Sequence, residues 1–228
     1  MNSFKYLKII IILAVIPSLI FVNTHFLHNE NYYLTSTAIL VALMLPFGLE
    51  YKNKKPNTKK LVLTASLAAI ATIGRIAFYM IPQFKPVLAI VIISSVVVGP
   101  YEGFMVGALT GFVSNFYFGQ GPWTVWQMFA FGLTGFLAGY LFRKIKLTRL
   151  SLCIYGMLSA FFIYGLIMNF ETVIMYPGPI TQKRVLSTYA AGLSVDAIHG
   201  IATYLFLFII YQPFVEKLTR IKMKYNIK

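Results

Sequence analysis

Polar side chains interrupt the long apolar segments of this sequence at a few places. Arg75, Asn115, Gln127 and Asp196 come from four different segments, and His199 shares a helix face with Asp196 because the two are three residues apart. Ionisable groups within a membrane are costly and tend to face protein or a cavity. Several such groups at similar depth therefore predict a polar pocket. Aromatic residues nearby would form its rim: Tyr79, Phe116, Tyr117, Phe118, Trp123, Trp126, Tyr176 and Tyr189.

Each of these residues also has a simpler interpretation. Arg75 and Asp196 could form a structural ion pair, and His199 could be an ordinary buried histidine. Trp123 and Trp126 could belong to the aromatic belt that membrane proteins carry at the interface with water. The grouping is more informative than any one member, and an aromatic pocket of this kind suits a planar or amphipathic small molecule.

The sharpest local feature is segment 115–128. Gly119, Gly121 and Pro122 predict a tight turn between two apolar segments. Such a turn would present Gln120 and Trp123, together with Gln127 one helical turn later. We interpret it as a recognition loop.

Motifs for several kinds of catalysis are absent from the sequence. It contains no phosphate-binding G-x-x-x-x-G-K-[ST] loop, no H-E-x-x-H and no G-x-S-x-G. Its three histidines are scattered, and its one cysteine, Cys153, excludes an internal disulfide and a cysteine metal cluster. We therefore expect no ATPase site of its own, no metal site and no resident cofactor.

The composition places these residues in a membrane protein. Of 228 residues, 58% are apolar and 11% are charged, whereas soluble domains have roughly 45–50% and 25%. Since a bilayer-spanning helix needs about 20 apolar residues, we predict an all-α protein with about eight transmembrane helices. The segments are 4–22, 32–50, 61–81, 87–99, 102–118, 123–142, 150–170 and 187–211. The first could be a signal peptide, but no small-x-small cleavage site follows it.

The basic residues are distributed as membrane topology requires. Sixteen of the 20 Lys and Arg residues fall in the N-terminal tail, the loops after the second and sixth segments, and the C-terminal tail. The other loops hold Lys85, Lys183 and Arg184, and Arg75 lies within a segment. This division predicts cytoplasmic N- and C-termini in the plasma membrane of a prokaryote. It also explains the net charge of +14 without nucleic acid.

The chain divides at a basic loop, 51–60. We predict a two-helix membrane hairpin with this loop at 1–60, and a six-helix membrane core with a basic tail at 61–228. Glycines repeat at four-residue spacing in the fifth and sixth segments, which predicts close helix packing. A similar stripe, Ala65 and Ala69 with Ala68 beside them, could pack within the chain or meet another subunit.

Within residues 61–211 the sequence resembles the substrate-binding S components of energy-coupling factor (ECF) vitamin transporters. The resemblance rests on Ala65-x-x-x-Ala69, on Lys85-Pro86 before a short helix, and on Gly99-Pro100-x-x-Gly103. Its most specific part is the run from Ser114-Asn115 through Gly119-Gln120-Gly121-Pro122-Trp123-Thr124 to Trp126-Gln127-Met128. That run looks most like cobalamin-type members.

The resemblance implies a six-helix core that captures a vitamin from outside, with cobalamin or a related corrinoid as the expected ligand. The core would dock on a transmembrane coupling subunit driven by two cytoplasmic ATPase subunits. The resemblance assigns the docking role to Ala65, Ala68 and Ala69. We expect the substrate-binding residues to be Arg75, Tyr79, Lys85, Asn115, Gln120, Trp123, Trp126, Gln127, Tyr176 and Asp196.

Three alternatives remain open from the sequence. The substrate could be riboflavin or a queuosine-like base, since either would stack on Trp123 or Tyr176. The protein could be a self-sufficient secondary transporter, with Arg75, Asp196 and His199 as a proton relay, although no internal repeat supports this. It could also be an intramembrane enzyme that uses Asp196 and His199, but a second catalytic motif is missing.

Overall fold

The structure is a computed structural model that describes residues 2–53, 58–176 and 178–227, and in that part the chain is helical without strands. We number eight helices in chain order. They are α1 (residues 2–25), α2 (Tyr32–Asn53), α3 (Thr58–Ala77), α4 (Val87–Val97), α5 (Pro100–Phe118), α6 (Trp123–Leu141), α7 (Arg149–Met175) and α8 (Gln182–Lys224). The predicted all-α membrane fold is thereby confirmed.

Several of these helices are long and apolar enough to cross a membrane. In the described part of the chain they are α3, α7, α8 and residues Tyr6–His25 of α1. Helices α5 and α6 have 19 residues each, which at about 1.5 Å per residue gives ~28 Å, close to the thickness of a bilayer core. Helix α4 has only 11 residues.

The short helix α4 lies in the centre of the bundle. Every residue from Val87 to Ser95 is buried. A helix that is apolar on all sides is stable when other helices surround it, and α4 contacts α3, α5, α6 and α8. It therefore does not need the length of a lipid-facing span.

Several predicted boundaries were wrong. Helix α3 ends at Ala77 rather than at 81, before the turn that holds Gln83 at a φ of 55° and Pro82. Helix α8 begins at Gln182, where the Thr181 hydroxyl accepts a hydrogen bond from the Arg184 amide at 3.2 Å. The loop predicted at 171–186 therefore shrinks to the few residues between Met175 and Gln182.

The basic C-terminal segment is helical rather than a tail. Helix α8 continues to Lys224, well beyond the predicted end at 211. Leu218 and Ile227 are buried against the core, and the Lys222 ammonium donates to the Val97 carbonyl at the end of α4, at 2.8 Å. These contacts hold the segment against the bundle.

Two helices contain a π-helical turn. In α1 it spans Ile11–Val15, just before Pro17, whose ring would clash with the carbonyl of Leu13 in a regular α-helix. In α7 it spans Ala160–Gly165. Such turns insert one residue and often occur at functional sites, because they redirect the side chains that follow.

Glycines bring α5 and α6 into close contact. A Cβ atom on Gly107 would collide with the backbone of Phe131 and Gly132, and one on Gly135 would collide with the Gly103 carbonyl. The glycine stripes therefore pack within the chain, as predicted. Close backbone approach of this kind maximises van der Waals contact between helices in lipid.

The N-terminal hairpin packs on the outer face of α5 and α6. Ile12, Ile16 and Leu43 share a buried cluster with Phe104. The Tyr101 hydroxyl donates to the Leu43 carbonyl at 2.5 Å. The division of the chain at residue 60 stays a prediction, and residues 54–57 of the basic loop lie outside the described residues.

Candidate ligand-binding cavity

A cavity of about 130 Å³ lies where the six helices α3 to α8 converge. Each of these helices contributes at least one lining residue, and the loop between α3 and α4 contributes two. The lining residues are Arg75, Gln83, Lys85, Val87, Phe118, Gln127, Phe131, Tyr164 and His199. We call this site the central cavity.

Arg75 forms one wall of the central cavity and is buried. Its Nη1 atom donates to the Asn115 side-chain oxygen at 2.8 Å and to the Ser114 hydroxyl, both on α5. Its guanidinium carbon lies 4.4 Å from the centre of the Phe118 ring. These neutral partners fix the orientation of the guanidinium without neutralising its charge.

Lys85 brings a second cation to the central cavity from the loop before α4. Its ammonium donates to the Ile81 carbonyl at 3.0 Å and lies 5.6 Å from the centre of the Phe118 ring. Burial, with the nearby Arg75 guanidinium adding to it, lowers the pKa of Lys85.

A second part of the cavity lining is an aromatic and amide cluster. The Gln127 side-chain nitrogen donates to the Tyr164 hydroxyl at 2.9 Å. The Tyr164 ring stacks on Phe131 with centroids 4.7 Å apart and meets His199 edge to face at the same separation. The π-helical turn of α7 includes Tyr164 and presents it to this cluster.

Two buried polar atoms of this cluster lack a hydrogen-bond partner within the described chain. They are Oε1 of Gln127 and Nδ1 of His199. Buried polar groups are nearly always hydrogen-bonded in native proteins, and each one left unpaired costs about 1–3 kcal/mol. Two of them in one cavity indicate a site that a ligand or ordered water completes.

The turn between α5 and α6 is braced by its own side chains. The Thr124 hydroxyl donates to Oε1 of Gln120 at 2.9 Å and accepts from the Asn115 amide at 3.1 Å. The Gln120 amide donates to the Phe112 carbonyl at 2.9 Å, so Gln120 holds the turn together. Gly119 has a φ of 100°, which favours glycine.

Asp196 belongs to a separate polar pair. Its carboxylate accepts from the Asn169 amide at 2.7 Å, between α8 and α7. Arg75 bonds to Ser114 and Asn115 instead, so the Arg75–Asp196 ion pair that we considered is not formed. The structure thus places Asp196 beside the central cavity and not among its lining residues.

Of the predicted rim aromatics, Phe118 lines the central cavity, whereas the others are not among its lining residues. Tyr79 is exposed, although its ring contacts Phe118. Trp123 is exposed and packs over Gly121. Tyr176 is exposed, and its carbonyl accepts from Arg184.

Trp126 lines a different cavity. This space of about 520 Å³ lies between α1, α6 and α7 and is apolar. The Trp126 ring meets Phe170 edge to face, with centroids 5.9 Å apart. Of the ten predicted substrate-binding residues, the structure therefore brings Arg75, Lys85 and Gln127 to the central cavity, with Asn115 directly behind Arg75.

Sequence reasoning missed several lining residues. Phe131 and Tyr164 look like ordinary apolar residues of their helices, and Gln83 lies in a short turn. His199 was grouped with the polar residues of the predicted pocket, since an ionisable residue in a span often faces a cavity, but it was not named as substrate-binding. The π-helical turn that presents Tyr164 has no obvious sequence mark.

The alanine stripe of α3 divides between two environments. Ala65 and Ala69 are exposed, on the same side of the helix as Val62 and Ser66. Ala68 is buried, and its carbonyl accepts a weak hydrogen bond of 3.4 Å from Thr110.

Comparisons with known proteins cover the helices that form the central cavity. The model of a protein family described as "ECF-type riboflavin transporter, S component" matches residues 55–220. The chain belongs to this family. The match includes every residue that lines the central cavity. The protein is therefore an S component, which is a multi-pass membrane subunit of a transporter and not an enzyme.

Curated relatives of this S component are named UPF0397 proteins. One from Aliivibrio fischeri strain MJ11 is 31% identical over 153 residues, which cover 60% of this chain and 82% of the relative. One from Aliivibrio salmonicida is 30% identical over 125 residues, covering 53% of this chain and 67% of the relative. No solved structure gives a significant match. The comparisons support an ECF S component, but they do not support the cobalamin-type subgroup that we expected.

S components work with the other subunits of an ECF transporter. Since the matched family is one of transport subunits, the two alternatives of a self-sufficient transporter and an intramembrane enzyme lose their support.

Proposed function

We propose that this S component captures a small vitamin-type molecule from outside the cell in the central cavity. The observation that carries the proposal is the pair of unpartnered buried atoms, Oε1 of Gln127 and Nδ1 of His199, in a cavity built by all six helices of the matched region. A ligand that bonds to these atoms would give each of them the hydrogen-bond partner that it lacks, which supports specific binding.

The size of the central cavity argues against a corrinoid. At about 130 Å³ it is smaller than most small-molecule pockets, which measure roughly 300–1,000 Å³. A corrin ring with its side chains is far larger than the space that a single planar ring fills. We therefore withdraw cobalamin as the favoured substrate.

Riboflavin is the named candidate that the family supplies. Its ring carbonyls could accept from Arg75, and its planar ring system could lie against Phe118 and Phe131. A three-ring flavin needs more room than the central cavity offers in this structure. The cavity would have to widen beyond about 130 Å³ to admit it.

A binding experiment tests the proposal. The purified full chain in detergent is titrated with riboflavin, cobalamin, queuine, nicotinate and orotate, with thermal unfolding as the readout, because a ligand that binds the native state raises Tm. At least one compound should raise Tm in the wild type and raise it less in Gln127→Leu. The control is Gln212→Leu, on an exposed face of α8.

Two results would contradict the proposal. One is an equal Tm rise in the wild type and in Gln127→Leu, which would place the ligand elsewhere. The other is a combination of two observations: no compound raises the Tm of a folded sample, and vitamin uptake is unchanged in cells that lack the protein.

We also propose a docking surface for the transmembrane coupling subunit, which two cytoplasmic ATPases would drive. Its centre is the exposed pair Ala65 and Ala69, where small side chains allow close helix approach. A groove of about 390 Å³ continues this surface between Val62 and the C-terminal residues Tyr225 and Ile227.

The docking surface and the ligand-binding cavity would lie at different heights along α3. Arg75 follows Ala65 by ten residues on α3, which corresponds to about 15 Å along the helix. The basic ends of α3 and α8 lie beyond Ala65, on the side that the basic residues assign to the cytoplasm. The central cavity would then open toward the outside.

Substitution separates the two roles. Ala65→Trp or Ala69→Trp should leave ligand binding unchanged and abolish uptake and co-purification with the coupling subunit. Ala190→Trp, an exposed alanine on α8, is the matched control and should leave uptake intact. Normal uptake by both α3 variants would contradict the docking role.

A further inference from the structure

The central cavity contains two cations and no acid. Arg75 and Lys85 line it, whereas none of its nine lining residues is Asp or Glu. In the described part of the chain, the ion pairs are Lys60–Glu102 and Glu216–Arg220, and neither involves these two cations. The charge of the cavity is therefore positive.

The buried carboxylates of the described chain contact other groups. Asp196 accepts from the Asn169 amide at 2.7 Å, and Glu171 accepts from the Thr172 hydroxyl at 3.3 Å. Glu102 pairs with Lys60 at 2.8 Å, near the opposite end of α3 from Arg75. Among the residues that the structure describes, no carboxylate pairs with Arg75 or Lys85.

Neutral groups only partly compensate these charges. Arg75 has two side-chain acceptors, Ser114 and Asn115, and Lys85 has one carbonyl, that of Ile81. Both cations also lie over the face of Phe118. Arg75 is buried and Lys85 is half-buried. A cation withdrawn from water without a counter-ion is unfavourable, and an anion that enters such a site interacts more strongly than it would in water.

We infer that the ligand of this S component carries a carboxylate or a comparable anionic group, which binds between Arg75 and Lys85. This inference rests on the proposed function of the central cavity. The anionic group would face the two cations across the Phe118 ring. At the aromatic and amide cluster, an N–H or O–H group of the ligand would bond to Oε1 of Gln127 or Nδ1 of His199.

The two sets of contacts define a ligand class. It is a small acidic molecule, preferably a planar heterocycle, with an anionic group at one edge and a hydrogen-bond donor at another. The small volume of the cavity favours one ring over three. Orotate has these features and uracil is the same ring without the carboxylate, so the two compounds form a matched probe pair. Nicotinate and nicotinamide form a second pair.

Saturation-transfer NMR on the full chain in detergent measures weak binding of these probes. We expect at least one acid to bind about tenfold or more tightly than its neutral partner, since removing one member of a charge pair leaves the other without its counter-ion. Lys85→Met should remove that preference, and Lys85→Arg should retain it. Lys183→Met, an exposed lysine outside the cavity, should leave it unchanged.

Equal affinity for acid and neutral probe in both pairs, or binding of neither pair at millimolar concentration, would overturn the inference. A preference that persists in Lys85→Met would also overturn it. Tight riboflavin binding that is lost in Gln127→Leu, without any preference for acids, would overturn the anionic ligand and leave the proposed function intact.

Discussion

The amide nitrogen of Gln127 on α6 donates to the hydroxyl of Tyr164 on α7 at 2.9 Å. This bond leaves the other end of the amide, Oε1, without a partner. It fixes the direction in which a ligand would meet Gln127, because the side chain cannot turn without breaking the bond to Tyr164. The pair therefore presents a preorganised acceptor to the central cavity.

Removing the Tyr164 hydroxyl tests this preorganisation. Tyr164→Phe should weaken ligand binding by roughly 10-fold or more, because the buried Gln127 amide would lose its partner and its fixed orientation. Isothermal titration with the compound that raises Tm measures the change. Tyr155→Phe is the control, since Tyr155 on the same helix donates to the Thr134 carbonyl at 2.6 Å outside the cavity. Equal effects of both substitutions would contradict the role of Tyr164.

Arg75 should not be replaceable by lysine. The guanidinium bonds to Ser114 and Asn115 while stacking on Phe118, a geometry that a lysine ammonium cannot reproduce. Arg75→Lys should keep the charge yet reduce affinity for an acidic ligand by about tenfold or more. Titration and thermal unfolding of the same sample separate binding from stability, and unchanged affinity would show that charge alone suffices.

Binding of an acidic ligand should depend on pH through Lys85. Its lowered pKa means that Lys85 loses its proton at a lower pH than an ordinary lysine, whose pKa is about 10.4. Affinity should therefore fall as the pH rises through this lowered value. Lys85→Arg keeps its charge, so its affinity should stay flat over the same range. Arg75, Tyr164 and His199 face the cavity in both proteins, so the comparison isolates Lys85; parallel profiles would contradict this prediction.

The contact between α5 and α6 should be sensitive to side-chain size. Gly107→Leu would force the helices apart, because even a Cβ atom at this position meets the backbone of α6. We expect a loss of about 3 kcal/mol in stability, at the upper end of what overpacking typically costs. Thermal unfolding in detergent measures it, with Ala190→Leu on an exposed helix face as control. A normal Tm for Gly107→Leu would show that the helices can separate without cost.

The sequence allowed most of the fold to be predicted. The lengths of the apolar segments predicted the eight helices, and the four-residue spacing of the glycines predicted the close contact of α5 and α6. The course of α8 beyond residue 211 could not be predicted from hydropathy, because its basic residues resemble a solvated tail. Burial of Leu218 and the Lys222–Val97 bond hold it in place, and both depend on tertiary contacts.

The candidate site was predictable only in part. Arg75 and Gln127 stood out because polar residues in apolar segments are rare, and they do line the central cavity. Trp123 and Trp126 stood out as aromatic residues next to the glycine-rich turn, but they contact other parts of the molecule, since a tryptophan at a helix end can face several neighbours. Tyr164 depends on the π-helical turn of α7, which apolar periodicity does not reveal.

Cysteine labelling tests most directly whether the central cavity holds the ligand. In a Cys153→Ser background, which removes the one buried native cysteine, Gln83→Cys places a single thiol at the half-buried mouth of the cavity. A mixture of vitamins that raises the Tm of this variant should slow its reaction with a maleimide several-fold. The same mixture should leave Gln182→Cys, an exposed position at the start of α8, unaffected. An unchanged reaction rate at position 83 under these conditions would contradict the account.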